Sequence, residues 1–316
     1  MGQPDLSSNR LISHPDVFAD IINTIVYDGR LVLNERNLKP FYVNTSTAKP
    51  NGKLKGLYRD NCMEDLRNGI RYIIWGIENQ YVFDRTTPFK VMGYDYTSYD
   101  RQIESFQAQN KKEHAKTYIT GLLPEQKLTP VITLILYYGD DNLPDNICAM
   151  LNMPEEKEVR KFIQNYNLNV IRLKEFTKEQ TDLFRSDFSC IAKCLAKSYN
   201  KQEQLNMLKE SKQVLLHPRD TLFTLASITK DQRYLSLSET NKEKSKMCEI
   251  ADALEKMGYD KGIMQGKDLE RENGIKSMIE ACQELNVAKA ITYEKVSQKY
   301  NLPPDKATEY MKKYWI

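Results

Sequence analysis

The sequence lacks a long apolar run, is poor in cysteine and carries almost no net charge. No stretch approaches the roughly 18 consecutive apolar residues of a membrane-spanning helix, so we expect no membrane partner. Six cysteines among 316 residues are too sparse for a disulfide scaffold, and the first residues lack the apolar segment of a secretory signal. These absences together predict a protein of the reducing cytoplasm.

The chain as a whole has no large excess of charge of either sign. Lys and Arg number 46 against 43 Asp and Glu, a formal net charge of +3, so a nucleic-acid partner would need a local basic patch. The most one-sided stretch is 30–59, where seven basic residues face the single acid Glu35. Within it, Lys53, Lys55 and Arg59 are candidate contacts to a DNA backbone, and a solvated loop is the alternative.

Hydrophobic spacing divides the first half of the chain into helices and strands. "HPDVFADIINTIVYDGR" has the apolar spacing of a helix, with Gly29 placed to end it. "LYRDNCME" and "IRYIIWGIENQ" flank an Asn-Gly dipeptide, which indicates a hairpin. "FKVMGYDY" is interpreted as a third strand, "SYDRQIESFQAQNKKEHA" as a helix and "TPVITLILYYG" as a strand buried on both faces.

The order helix, strand, strand, strand, helix, strand predicts an α/β core that ends near residue 177. Beyond it, the apolar stripes are helical, and the last stretch is interpreted as two helices joined by an Asn-Leu-Pro-Pro turn. We therefore predict an α/β domain over residues 1–178 and an all-helical region over residues 179–316.

Three polar residues end the apolar strand "IRYIIWGIENQ". Residues two apart in a strand share a face, so Glu78 and Gln80 point to the same side. The partner strand carries Asp60. Two carboxylates and the main-chain carbonyl of Asn79 are the hard oxygen ligands that Mg²⁺ takes, with Mn²⁺ as its substitute. The alternative is a solvated strand end with two surface acids.

The register of the hairpin tests this metal hypothesis. A two-residue loop at Asn68-Gly69 would set Asp60 opposite Ile77 and turn it away from Glu78. A loop with an odd number of residues, centred on Gly69, would set Asp60 opposite Glu78, because a shift of one residue moves every side chain to the other face. We therefore predict a loop of roughly three or five residues.

The motifs "YRD", "GIENQ", "VMGYD" and "TPVITLILYYG" together resemble the recombination-promoting nuclease/transposase family, a branch of the PD-(D/E)XK nucleases. The resemblance covers residues 15–180, with weaker likeness beyond. It implies a restriction-endonuclease-like core, a mixed sheet flanked by helices in the order α-β-β-β-α-β. It also implies a Mg²⁺-dependent DNA endonuclease linked to recombination or mobile elements. A homodimer is expected, because enzymes that cut duplex DNA often pair subunits.

The resemblance assigns roles to the residues at the strand end. Asp60 matches the first acid of the family's motif and Glu78 the second, so both are expected to be catalytic and to hold the metal with the Asn79 carbonyl. Gln80 stands where the superfamily has lysine, a departure, although an amide can hydrogen-bond a nucleophilic water. Lys90, expected on the following strand, is a candidate source of the missing charge.

Four further residues are weaker candidates. The first helix of such nucleases often gives an acid to the site, which Asp20 fits, with Asn23 one turn further on. The helix after the third strand often gives a polar residue, which Tyr99 and Gln102 fit. An ordinary helix-surface acid is the alternative for Asp20, and packing or capping is the alternative for Tyr99 and Gln102.

Two other functions remain open from sequence. One is a catalytically inactive DNA-binding module. The other is an interaction protein that works through its helical tail. Residues 241–316 carry fourteen basic and thirteen acidic residues, so no basic footprint on the tail favours DNA there.

Overall fold

A computed structural model describes residues 3–41, 44–48, 54–58, 60–82, 84–113, 121–240 and 243–316. The helices are α1 Gln3–Ile12, α2 Pro15–Tyr27, α3 Thr87–Glu113, α4 Lys157–Arg160, α5 Lys178–Asp182, α6 Phe188–Leu195, α7 Lys201–Glu210, α8 Pro218–Thr229, α9 Gln232–Thr240, α10 Met247–Glu284, α11 Lys289–Tyr300 and α12 Pro304–Tyr314. The strands are β1 Leu38–Pro40, β2 Asn44–Ala48, β3 Leu54–Tyr58, β4 Asn61–Arg67, β5 Ile70–Gln80, β6 Val131–Tyr137, β7 Asn169–Arg172, β8 Val214–Leu215 and β9 Ser245–Lys246.

The main sheet has five strands in the order β1-β4-β5-β6-β7. β1, β4 and β5 pair antiparallel, whereas β5, β6 and β7 pair parallel. The predicted mixed α/β sheet is thus confirmed. β5 and β6 are central and bury side chains on both faces, which explains the continuously apolar sequence of β6.

The hairpin between β4 and β5 differs from its prediction in one respect. Asn68 and Gly69 both have positive φ, +52° and +79°, as a two-residue turn of this type requires. The predicted loop of three or five residues is therefore wrong. A β-bulge follows the turn, because Leu66 pairs with Arg71 but the next pair is Asp65 with Ile73.

The bulge adds one unpaired residue, so that the number of unpaired residues between the strands is odd, as was expected of the loop. It leaves Tyr72 without an opposite residue, and beyond it Asn61 pairs with Ile77. Continuing this register by one residue aligns Asp60 with Glu78. The register beyond the bulge therefore has the parity that the sequence analysis expected from an odd loop.

The third predicted strand is wrong. "FKVMGYDY" lies within the first turns of α3, and the third strand of the antiparallel part is β1, earlier in the chain. Val91 and Tyr94 of α3 pack on Ile135 and Tyr137 of β6. The spacing of Val91, Tyr94 and the buried Ser98 is that of a helix, and packing on the sheet overrides the strand preference of valine and tyrosine.

The chain forms two compact units, Met1–Ala251 and Asp252–Ile316. The structure therefore divides after Ala251 and not near residue 178, because α6 packs against α2 and α8 within the sheet-bearing unit. The second unit has its own core, built from Ile275, Ile279, Val296 and Met311. In it, α11 and α12 form the two predicted helices, with Asn301 at a φ of +46° between them.

Candidate functional site

Asp60 and Glu78 meet at the carboxyl end of β5. The backbone N–H of Asp60 donates to Oε2 of Glu78 at 3.4 Å, and the backbone N–H of Asn79 donates to Oδ2 of Asp60 at 3.1 Å. Both carboxylates are half-buried. The structure therefore brings together the two acids that the sequence separates by eighteen positions.

Gln80 shares a face of the sheet with Glu78. Glu78 pairs with Ile135 and Gln80 with Tyr137, and α3 covers this face. The Gln80 amide donates through Nε2 to the carbonyl of Val82, and its Oε1 accepts from the hydroxyl of Thr87 at 3.4 Å. Gln80 thus lies beside the acid pair with its amide donor directed to the main chain.

Asn79 points to the opposite face, where its side chain is buried and held at both ends. Its Oδ1 accepts from the hydroxyl of Tyr138 at 2.8 Å, and its Nδ2 donates to Oδ1 of Asn9 at 2.6 Å. The Asn79 carbonyl lies on the same edge of the strand as its N–H, because both groups of one strand residue point to the same neighbouring strand. That edge is the Asp60 side.

The Tyr138 hydroxyl is part of a polar cluster between β6 and α1. The ring of Tyr81 stacks on that of Tyr138 with centroids 4.1 Å apart, and the Tyr81 hydroxyl hydrogen-bonds Ser8. Burial raises the pKa of Tyr138 well above its usual range, and the neighbouring Tyr81 hydroxyl and Asp60 carboxyl group raise it further. The Tyr138 hydroxyl is therefore a neutral donor at physiological pH.

Lys90 does not lie on a strand, as expected from sequence, but in the first turns of α3. Its ammonium group pairs with Asp84 in the loop before the helix. Burial raises the pKa of Asp84, but hydrogen bonds from Lys90 and Thr86 outweigh it and lower that pKa to about 2. The Lys90 charge is thus shared with its own loop acid.

Asp20 and Asn23 make hydrogen bonds to main-chain groups of other segments. Oδ2 of Asp20 accepts from the N–H groups of Arg185 and Ser186, at 2.9 and 2.7 Å. Asn23 accepts from the N–H of Leu33 at 2.8 Å and donates to its carbonyl at 2.9 Å. Both line a cleft of about 600 Å³. The hydrogen bonds described for Asp20 and Asn23 go to the main chain at Val32, Leu33, Arg185 and Ser186.

Tyr99 and Gln102 lie at the other end of the sheet. The Tyr99 hydroxyl accepts from the N–H of Val131, the first residue of β6, at 3.1 Å. Gln102 accepts from the N–H of Thr129 at 2.7 Å and donates to its carbonyl at 3.1 Å. Val131 pairs with Ile74, four residues before Glu78, or roughly 13 Å along the strand. The structure places both residues in capping contacts.

The structure describes little of the three residues that the sequence analysis named as DNA-backbone contacts. Lys53 and Arg59 lie outside the described residues, and only the backbone of Lys55 is described, within β3. Their role stays a prediction.

The donor set at the strand end suits a hard cation. Among the described residues no group of three or more His, Cys, Asp or Glu side chains stands ready for a metal. Mg²⁺, however, is commonly bound by one or two carboxylates with waters in the remaining positions. Asp60 and Glu78, with the Asn79 carbonyl beside them, meet that requirement.

Sequence reasoning missed the support behind these acids. Ser8 and Asn9 lie on α1, a helix that the sequence analysis did not identify, and Tyr138 follows the last residue of β6. The alternation of side chains along β5 gave one signal that could have indicated this support. Asn79 is the polar residue on the face opposite Glu78, and a buried amide requires partners.

No family model, curated protein or solved structure matches this chain. In the part of the chain that the structure describes, no helix is both long enough and apolar enough to cross a membrane.

Proposed function

We propose that the chain is a Mg²⁺-dependent DNA endonuclease with a PD-(D/E)XK-type core, linked to recombination or mobile elements. One observation carries the proposal: the Asp60 N–H donates to the Glu78 carboxylate at the carboxyl end of a central strand, where continuing the β4–β5 register would set the two residues opposite each other. The order of the main-sheet elements supports it: apart from β2 and β3, which form a separate two-stranded sheet, α2, β1, β4, β5, α3 and β6 give α-β-β-β-α-β.

Each residue at the strand end has a part in the proposed hydrolysis. Asp60 and Glu78 hold the cation with the Asn79 carbonyl. Bound Mg²⁺ supplies positive charge to a phosphoryl oxygen and lowers the pKa of bound water. Gln80 orients the attacking water through Oε1, since a carbonyl oxygen can accept a second hydrogen bond beside that from Thr87.

A catalytically inactive DNA-binding module is the second candidate, and the environment of Gln80 favours it. The amide donor of Gln80 is directed to the Val82 carbonyl, and Lys90 is paired with Asp84. Neither residue then offers the strand end the positive charge that the superfamily's lysine provides.

Plasmid nicking tests the proposal. Wild-type protein, Asp60→Ala and Glu78→Ala are incubated with supercoiled DNA in Mg²⁺ and in EDTA. Glu64→Ala is the matched control, because Glu64 lies on the same hairpin near its turn and pairs with Arg71. We expect nicking by wild type and Glu64→Ala in Mg²⁺ only, and none by the other two variants.

Other outcomes separate the rivals. Nicking that survives in both Asp60→Ala and Glu78→Ala would overturn the assignment. DNA binding that weakens steeply with salt, without nicking, would identify the inactive binder. Absence of both, with partner capture by the tail, would favour the interaction protein.

The proposal also includes a cellular compartment and an oligomeric state. All six cysteines are free thiols, which supports a reducing cytoplasm as the compartment. A homodimer that cuts both strands stays a prediction, and sedimentation with and without duplex DNA checks it.

A further inference from the structure

We propose that Tyr138 and Asn9 are positioning residues that set the affinity of the Asp60–Glu78 pair for its divalent cation, acting through Asn79. This inference rests on the proposed metal site. It concerns residues on α1 and after β6, outside the acid and amide positions that the sequence motif covers.

The first step is that the Asn79 side chain cannot rotate without breaking hydrogen bonds. Tyr138 donates to its Oδ1 at 2.8 Å and its Nδ2 donates to Asn9 at 2.6 Å. Asn79 is only 5% exposed, so water cannot replace a lost partner cheaply. The side chain therefore fixes the main chain of its own residue.

The second step is that this main chain holds Asp60. The last described pair of the β4–β5 ladder is Asn61 with Ile77, and two residues further the N–H of Asn79 donates to the Asp60 carboxylate. A carboxylate held at Oδ2 presents its other oxygen in a defined direction. The orientation of Asp60 therefore depends on Asn79.

The third step is that Tyr138 is itself anchored to the same strand. Its backbone N–H donates to the carbonyl of Gln80 at 3.0 Å, and its ring is stacked on Tyr81. Its hydroxyl thus reaches Asn79 from a rigid position. Removing a hydrogen-bond partner of a metal-holding residue typically changes metal affinity by about 10–100-fold, and Tyr138 and Asn9 are such partners of Asn79, whose carbonyl is the third proposed ligand.

Mn²⁺ binding by the whole chain, measured by calorimetry and by electron paramagnetic resonance, tests the inference. We expect Tyr138→Phe to bind Mn²⁺ about 10–100-fold more weakly than wild type, since it keeps the ring and loses the donor. Asn9→Ala is the second variant and is expected to weaken binding in the same direction.

Tyr99→Phe is the matched control. It too removes one hydroxyl that bonds into the sheet, but at the Val131 end of β6. We expect its Mn²⁺ affinity to stay within about twofold of wild type, so a general loss of sheet stability is separated from a loss at the site. Circular dichroism checks that each variant is folded.

The failures are distinguishable. If wild type binds Mn²⁺ and Glu78→Ala does not, but Tyr138→Phe and Asn9→Ala bind as wild type does, the positioning role is overturned and the metal site stands. If wild type binds no Mn²⁺, the proposed metal site fails and the positioning role with it.

Discussion

The two ends of the β5–β6 strand pair use similar side chains in different ways. At the end near the hairpin, Tyr99 and Gln102 bond to main-chain groups beside β6 and complete the sheet. At the other end, Asn79 and Tyr138 bond to each other and leave Asp60 facing Glu78. Tyrosine and amide side chains thus close one end, whereas at the other they support a pair of carboxylates.

The difference shows what separates a cap from a site. A polar side chain that bonds main-chain groups ends a strand and lowers the energy of the fold. Burial of a carboxylate is costly unless a cation or hydrogen-bond donors compensate for its lost hydration, and two half-buried carboxylates lie at the end with Asp60 and Glu78. We therefore expect changes at the hairpin end to alter stability, and changes at the acid end to alter metal binding.

The largest stability effect is expected for Gln102→Ala. Gln102 is 5% exposed and satisfies both the N–H and the carbonyl of the half-buried Thr129, so its loss leaves these two main-chain groups without that partner. The free energy of unfolding should fall by about 2–3 kcal/mol in urea titrations. Mn²⁺ affinity should be unchanged. If Gln102→Ala also lost Mn²⁺ affinity, the two ends of the strand pair would not have separate roles.

Protection by Mg²⁺ is the next largest expected effect. At a tenfold excess of Mg²⁺ over its dissociation constant, the wild-type fold should gain about 1.4 kcal/mol of stability. Asp60→Asn/Glu78→Gln should gain none, because its two amides lack the charge that holds the cation. Equal protection of both proteins, measured by thermal unfolding, would place the cation elsewhere.

Gly69→Ala addresses the hairpin itself. The glycine has a φ of +79°, and an added Cβ would meet no atom within 4 Å, so the cost is backbone strain alone. We expect a loss of about 1 kcal/mol in the free energy of unfolding with Mn²⁺ binding retained. Metal binding that fell with this substitution would show that the turn, and not the bulge, controls the register.

A fourth prediction separates the pH dependence of the fold from that of the metal site. His14 and His217 stack with ring centroids 3.6 Å apart, and each bonds an aspartate at the start of the other's helix: His217 to Asp16 and His14 to Asp220. The hydrogen bond that His217 makes to the Asp16 carboxylate raises the pKa of His217 against the effect of burial, and the nearby charges of Asp187 and Asp220 raise it further.

The sign of the stability change follows from that shift. The contribution of His217 is complete below its unfolded pKa near 6.5 and is lost as the pH rises through the higher folded value. Unfolding in urea at pH 6 and pH 8.5 should show lower stability at the higher pH. His217→Asn should show a smaller decrease. A decrease of the same size in both proteins would exclude His217 as its source.

Much of the architecture could be predicted from local patterns. The apolar period of α2, the Asn-Gly turn and the continuous apolar run of β6 are each set by a few neighbouring residues, and the structure contains all three. The start of α3 could not, since Val91 and Tyr94 favour strands locally and become helical only by packing on Ile135 and Tyr137.

At the strand end, the alternation of side chains along β5 and the register of the hairpin predicted that Asp60, Glu78 and Gln80 lie together. The polar support from Asn9 and Tyr138 could not be foreseen, because those contacts join residues 70 and 59 positions away from Asn79 along the chain. The family resemblance likewise grouped Asp20, Tyr99 and Gln102 with the acids, whereas their hydrogen-bond partners are other main-chain segments.

The bulge at Tyr72 constrains how this hairpin can change over evolutionary time. Insertion or deletion of one residue between Asp60 and Glu78 reverses which face one of the two acids occupies, unless a second such change restores the parity. Homologous hairpins are therefore expected to vary in length by even numbers, or to exchange the bulge for a longer turn. Parity of the spacing, rather than the identity of the turn residues, is then the property that selection would preserve.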